Sequence, residues 1–311
     1  MKIKSKMLIN STRSIVFKVD VDTLRGTVEG VPNLLELFKK HKIQATFLFS
    51  LGPDHTGWAL KRIFRPGFFS KVKRTSVVAN YGLKTLMYGV LLPGPHISRK
   101  SAVQMRKVAE EGHETGIHTY DHVYWQDKVA LSSDKLWTEL ELEKAEVAYN
   151  ETFGLSAQTF GAAGWQMNDF AFLWNEKYKY ASDTRGESPF YPLIQNKKIN
   201  CLQMPTTLPT MDELIGVDEV TEDNVSTRLL SFTQKERGCG HVFTLHAELE
   251  GMRLKDEFEK FIIGLKSQKY QFLTMHQYYS ALMSKNSEIK VSEIVYRAVP
   301  GRSGLLCCQA Q

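Results

Sequence analysis

The feature that most restricts this chain is a regular alternation of two residue patterns. Short β-branched or aromatic runs fall at residues 15–20, 45–49, 114–117, 159–161, 180–182, 201–205, 241–245 and 271–274. Between them lie stretches with helical spacing of apolar residues, at 31–41, 99–111, 133–153, 168–176, 222–236, 255–267 and 276–285. Strand–helix alternation predicts an α/β fold, with a mainly parallel sheet and helices outside it. Seven or eight such units predict a closed or nearly closed (β/α) barrel, in which chemistry gathers at the C-terminal ends of the strands. The spacing divides the 311 residues into an N-terminal extension over 1–13, a barrel over 14–285 and a tail over 286–311. The tail is predicted to lie irregularly on the barrel.

Composition and charge exclude several classes. Hydrophobic residues at 42% and charged residues at 24% exclude collagen, coiled coil and wholesale disorder. The four cysteines, Cys201, Cys239, Cys307 and Cys308, have no C-x-x-C spacing. That spacing offers neither a zinc knuckle nor a disulfide framework, and reduced thiols in the cytosol are the simplest account. Between residues 55 and 109 there is no Asp or Glu but eleven Lys or Arg, so removing those eleven from the net +6 leaves the rest at −5. A mildly acidic protein with one basic insertion is not a nucleic-acid binder. The apolar stretch near the start covers only residues 7–9, too short for a secretory leader. The most apolar window, 77–95, is broken by Asn80, Lys84 and Pro93, so any membrane association is expected to be peripheral.

Three strand ends carry titratable groups. Asp20 and Asp22 sit at the end of the first strand and, by strand alternation, on one face. Two carboxylates there repel unless a cation or a raised pKa relieves them, which suits a metal ligand beside a general base; two capping aspartates before a loop is the bland alternative. His118 and His122 are four apart, so on one helical turn they share a face and can bind one metal. Two surface histidines would look the same. The strand at 241–245 runs into His246, Ala247 and Glu248, which makes His246 a natural general acid or a satisfied edge histidine. The small-residue turn at 161–165 could offer a backbone N–H to an oxyanion or be only a tight turn. Asp183 and Arg185 could pair with each other, hold a substrate phosphate or hold the base. Taken jointly, Asp22, His118 and His122 would hold a divalent metal, Asp20 would take the proton from an attacking water, and His246 would protonate the leaving amine. The ligand set suits zinc, cobalt, nickel or manganese alike.

These motifs, in this order, resemble the polysaccharide deacetylase family, also called NodB-homology or carbohydrate esterase 4. The resemblance implies a distorted (β/α) barrel with Asp20 as base, Asp22, His118 and His122 as metal ligands, and His246 as acid. The sequence is more similar still to one branch, the 4-deoxy-4-formamido-L-arabinose-phosphoundecaprenol deformylases. The residues carrying that likeness are 20–27, 29–32, 49–54, 162–165, 182–186, 207–210 and 246–251. The likeness implies an undecaprenyl-phosphate-linked sugar as substrate, and a role in lipid A modification and resistance to polymyxin and cationic peptides. Within those motifs Arg25, Gly164, Trp165, Asp183, Arg185 and Glu248 are the candidate substrate-binding residues. Two departures stand out. The family's adjacent Asp-Asp is here Asp-Val-Asp, which this branch shares, and the third-motif Arg is missing at 161–165. Arg185 is the candidate to orient Asp20 in its place.

The basic insertion then acquires a purpose. Trp58, Lys61, Arg62, Arg65, Phe68, Phe69, Lys71, Lys73 and Arg74 combine aromatic and basic residues in the manner of an interfacial segment. A solvated helical hairpin or a dimer contact is the alternative. A lipid-phosphate substrate favours docking on an anionic membrane surface, at the cytoplasmic face of the bacterial inner membrane. The rival functions are a sugar N-deacetylase acting on another glycan and a non-catalytic membrane-binding barrel.

Overall fold

The computed structural model describes residues 13–59, 82–285, 288–302 and 304–311. Strand β1 (Ser14–Val21) is buried along its whole length. Its odd-numbered residues Phe17, Val19 and Val21 join the large core beneath the helices, with Phe17 against Phe38, Phe243, Phe258 and Phe261. Val16, on the other face, packs with Tyr180, Leu202, Met204, Val242 and Leu273, which plug the barrel interior. Alternation along one strand therefore feeds two cores, and it sends Lys18 and Asp20 to the inner one.

Seven further strands complete a parallel sheet: β2 (Thr46–Phe49), β3 (Glu114–Ile117), β4 (Thr159–Phe160), β5 (Tyr180–Ala181), β8 (Leu202–Gln203), β9 (His241–His246) and β10 (Gln271–Leu273). β9 lies on one side of β1. On the other side β10 pairs with residues 14–16 and β2 with residues 18–21. β3, β4, β5 and β8 follow in order. Just past β8, the Thr207 N–H donates to Val242 O at 3.0 Å and Thr206 meets Thr244 at 2.7 Å, so the curled sheet closes on β9. This eight-stranded curled sheet is within the seven or eight units of the nearly closed barrel that the alternation predicts, and has the distortion that the resemblance implies.

The helices ring it. Val31–His41 and Lys255–Ser267 fall on the expected residues. The helix expected from 99 starts at Ile97 and buries Ile97, Met105 and Val108 against the core and the long helix Lys135–Phe153. Those apolar residues make it part of the helical ring. The stretch 55–109 is therefore not one insertion, and its C-terminal part belongs to the barrel. Lys61, Arg62, Arg65, Phe68, Phe69, Lys71, Lys73 and Arg74 lie outside the described residues.

The tail is not irregular. β11 (Val291–Ala298) and β12 (Leu305–Gln309) form an antiparallel pair. β11 also joins β6 (Tyr191–Ile194), itself paired with β7 (Lys197–Lys198) through a turn in which Gln195 and Asn196 both have positive φ. The result is a second, four-stranded sheet. It seats Leu306 and Cys308 against Trp165. All four cysteines are free.

Candidate active site

Asp20 and Asp22 emerge at the C-terminal end of β1, both nearly inaccessible. His118 follows β3, its N–H bonded to Phe49 O at 2.8 Å. Thr119 then takes a left-handed φ of +71°. His122 is the first residue of the helix His122–Lys128, capped by the Asp121 carboxylate. The two histidines thus do not share a helical turn, as the spacing suggested; a strand end, a reversal and a helix start bring them together. Their ring centroids are 5.3 Å apart.

The ligand geometry is convergent. His118 Nδ1 donates to Gly161 O at 2.6 Å, which aims Nε2 into the site. That Nε2 lies 3.3 Å from Asp22 Oδ1, and His122 Nε2 lies 3.4 Å from the same oxygen. Asp22 Oδ1 is buried and has no hydrogen-bond partner. Charge-assisted N–H···O contacts close to about 2.7–2.9 Å; here two imidazoles stand off one orphaned carboxylate oxygen. Burial alone would raise the Asp22 pKa, but His122, His118 and His246 outweigh it and hold it well below the usual carboxylate range. His118 is shifted the other way: burial lowers its pKa, and Asp20 and Asp22 override that to raise it. The pocket demands positive charge between the three side chains. Asp22, His118 and His122 offer ligand atoms within 4.8 Å of one another and could hold a metal ion.

Two more groups complete the mouth. His246 ends β9 in direct register with Asp20, and its Nδ1 is buried without a partner. Lys18 lies two residues before Asp20 on the same face, and its Nζ is 3.2 Å from Asp20 Oδ2 with both side chains buried. It also donates to Ser182 O at 3.3 Å.

A sequence model of the polysaccharide deacetylase family matches residues 11–171, more than half of the chain. The chain belongs to the polysaccharide deacetylase family. As a member it is an amide hydrolase. A Shewanella sediminis (strain HAW-EB3) protein named "Probable 4-deoxy-4-formamido-L-arabinose-phosphoundecaprenol deformylase ArnD" is 35% identical over 296 residues, covering 94% of this chain and 93% of its own length. A Wigglesworthia glossinidia brevipalpis protein of the same name is 32% identical over 289 residues, covering 91% and 98%. Among solved structures, that of a "probable Polysaccharide deacetylase" from Pseudomonas aeruginosa PAO1 has a TM-score of 0.60 at 16% identity, covering 89% of this chain and 92% of that one. At that identity the likeness speaks for the fold alone.

Within this deacetylase frame the remaining residues sort by what they touch. Arg185 does not reach Asp20: its guanidinium binds Glu213 Oε1 at 2.8 Å and Leu208 O at 3.1 Å. Lys18 takes the place beside Asp20 instead. The signal was a lysine inside an apolar strand, on the same face as both aspartates. Asp183 is fully buried and fully bonded, accepting from Ala162 N, Asn175 and Gln203 at 2.7–2.8 Å. It holds the 161–165 turn rather than a ligand. Glu248 Oε1 accepts from Asp22 N, Thr23 N and Thr23 Oγ1 at 2.7–3.1 Å, so it clamps the loop that carries Asp22. Gly26 is required there, since a Cβ would sit 2.0 Å from that oxygen. Trp165 is buried, donates Nε1–H to Thr206, and has the guanidiniums of Arg185 and Arg302 at 4.9 and 4.8 Å from its ring. In its turn the N–H groups of Gly161, Ala162 and Trp165 are already bonded, so they are not available to an oxyanion. Arg25, at the rim, pairs with Glu29. Arg302, Glu213 and Glu250 went unnoticed in the sequence because only the folded tail brings Arg302 to this wall. Trp58 is half-buried and stacked on His55 at 3.9 Å.

Proposed function

We propose that this chain hydrolyses the formamide of 4-deoxy-4-formamido-L-arabinose carried on undecaprenyl phosphate, releasing formate and the 4-amino sugar for lipid A modification and resistance to cationic peptides. The observation that carries the reading is the convergence of Asp20, Asp22, His118, His122 and His246 at one barrel end, in a chain 35% identical to a protein named as that deformylase. Asp22, His118 and His122 would hold a divalent metal, with manganese, cobalt, zinc and nickel all compatible. When bound, such an ion supplies Lewis-acid polarisation and a more acidic water.

The protein's own groups do the rest. Asp20 Oδ1, buried and unpartnered, accepts the proton of the water that attacks the formyl carbon. Lys18 keeps that carboxylate turned towards the water. His246, across the strand pair, delivers a proton to the sugar nitrogen as the C–N bond breaks. A substrate anchored by a polyprenyl chain stays at the bilayer, so the enzyme works peripherally at the anionic cytoplasmic face. No helix among the described residues is long and apolar enough to cross a membrane.

The test is formate release from the lipid-linked formamido sugar. A chelator should abolish it, and restoring manganese, cobalt or zinc should recover it. No formate with any metal, from folded protein, overturns the assignment, and acetylated sugars are then the next substrates.

A further inference from the structure

Residues 82–95 stand outside the strand–helix pattern, and part of this lobe is tightly built. Met87 O accepts the N–H groups of Val90, Leu91 and Leu92 at 2.9–3.1 Å, and Gly89 N donates to Leu92 O at 2.7 Å. The turn nevertheless presents its apolar side chains to solvent: Leu83 is 68% exposed, Val90 52%, Leu91 76% and Leu92 37%. Four large apolar side chains exposed within ten residues form a patch, which isolated surface leucines do not. Lys84 is exposed among them, and the surrounding sequence 55–109 has eleven Lys or Arg and no acid.

The lobe is also braced to the metal loop. Trp58 Nε1 donates to Gly89 O at 2.7 Å, and its ring stacks on His55. His55 Nδ1 meets Asp121 Oδ2 at 2.5 Å, and Asp121 caps the helix that begins with His122. On the opposite flank Asp54 Oδ2 accepts from Leu24 N at 3.0 Å, in the loop after Asp22. A surface fixed in this way has a set height and tilt relative to the mouth.

We propose that residues 82–92 are a bilayer-docking surface, with Leu83, Val90, Leu91 and Leu92 entering the interface and Lys84 facing anionic headgroups. The proposal rests on the lipid-carrier reading above and adds the element that seats the enzyme. Trp58, by contrast, braces the lobe from behind. Charge selects the occupant: an apolar surface with an exposed lysine, in a stretch of sequence that carries eleven bases and no acid, suits an anionic leaflet. A second copy of the same surface would set base against base.

The test uses the full chain and vesicles without substrate. Wild type should sediment with phosphatidylglycerol/phosphatidylethanolamine vesicles, less so with phosphatidylcholine. The double variant V90E/L91E, and separately L83E, should lower the bound fraction about ten-fold, since each places a charge at the interface. Both should deformylate a short-chain, water-soluble formamido-sugar phosphate at the wild-type rate, and lose rate only on vesicle-borne substrate. Variants that sediment like wild type overturn the proposal. So does a wild-type dimer that V90E/L91E splits, because the patch then covers a second copy. Lost vesicle binding together with no deformylation by any form, wild type included, leaves docking standing and removes the functional reading instead.

Discussion

The barrel carries a polar cluster at each end, built from similar residues. At the N-terminal ends of the strands, Glu114 Oε1 accepts from Tyr180 OH at 2.6 Å, and Oε2 accepts from Thr46 Oγ1 at 2.7 Å and His276 N at 2.9 Å. Both oxygens are answered. At the C-terminal ends, Asp20 Oδ1, Asp22 Oδ1, His246 Nδ1 and Glu250 Oε1 are buried without hydrogen-bond partners. Burying a polar atom unpaired costs free energy, so a cluster of unpaired carboxylate oxygens at one place calls for a use. The floor spends its acid and its histidine backbone on cohesion. The mouth leaves lone pairs that a cation, a water and a substrate could use. Thr159 Oγ1 and His241 Nε2, at the same N-terminal ends, are also buried without partners, so it is at the carboxylates that satisfaction separates the two clusters.

The sharpest way to break this contrast is at the mouth. H118A should lose metal and lower turnover about a thousand-fold, the several kcal/mol that a bound cation contributes. Metal analysis and formate release on the same sample check it. Full activity without metal would leave the open lone pairs unexplained. Next in size is K18M, which strips the cation from Asp20. Turnover should fall about 10–100-fold with metal content unchanged, as for residues that orient a reacting group. K18M should also destabilise the fold, because it leaves a buried carboxylate alone. K18R, which keeps the charge, should recover most of the rate. Equal losses in both variants would make Lys18 a packing residue.

Much of the mouth was legible because period-2 alternation is strict: Asp20 and Asp22 had to share a face, and strand ends had to gather. Lys18 obeyed the same alternation and could have been read from it. Other parts depended on contacts between distant segments. The reversal at Thr119 joins His118 to His122 without a helical turn, and spacing alone does not distinguish the two routes. The β11–β12 hairpin shows weak alternation, with its outer side chains half exposed, and its purpose appears only where Leu306 and Arg302 meet Trp165, far away in sequence. Strands of two residues, such as β4, β5 and β8, owe their existence to their neighbours more than to their own composition.

At the floor the expected effect is on stability alone. E114Q replaces an acceptor-only carboxylate by an amide that must turn a donor towards Tyr180 or Thr46. It should cost about 1–3 kcal/mol of folding free energy. Turnover per folded molecule should stay at the wild-type value, because Glu114 lies at the opposite end of the strands from Asp20, Asp22 and His246. Urea melts and active-site-normalised rates check the two halves. A rate loss that exceeds the unfolded fraction would mean the two ends are coupled through the barrel.

The smallest effect tests whether the mouth's acids are held as unsatisfied as they look. Glu250 is buried beneath His246, whose N–H it accepts at 2.8 Å. Burial pushes its carboxyl up from 4.5 to about 8; Asp212 adds to this, and the His246 N–H and Arg302 oppose it. Between about pH 4.5 and about pH 8 the native state therefore keeps a proton that the unfolded chain has released. Native protein binds more protons in that window, so this group makes stability fall as pH rises through it and level off above. E250Q cannot ionise and removes that slope. Any stability advantage of wild type over E250Q in urea melts should shrink as pH rises from about 5 to about 8. Parallel curves would mean that Glu250 is ionised and paired in the native state. The mouth would then be closer to the floor than its orphaned oxygens suggest.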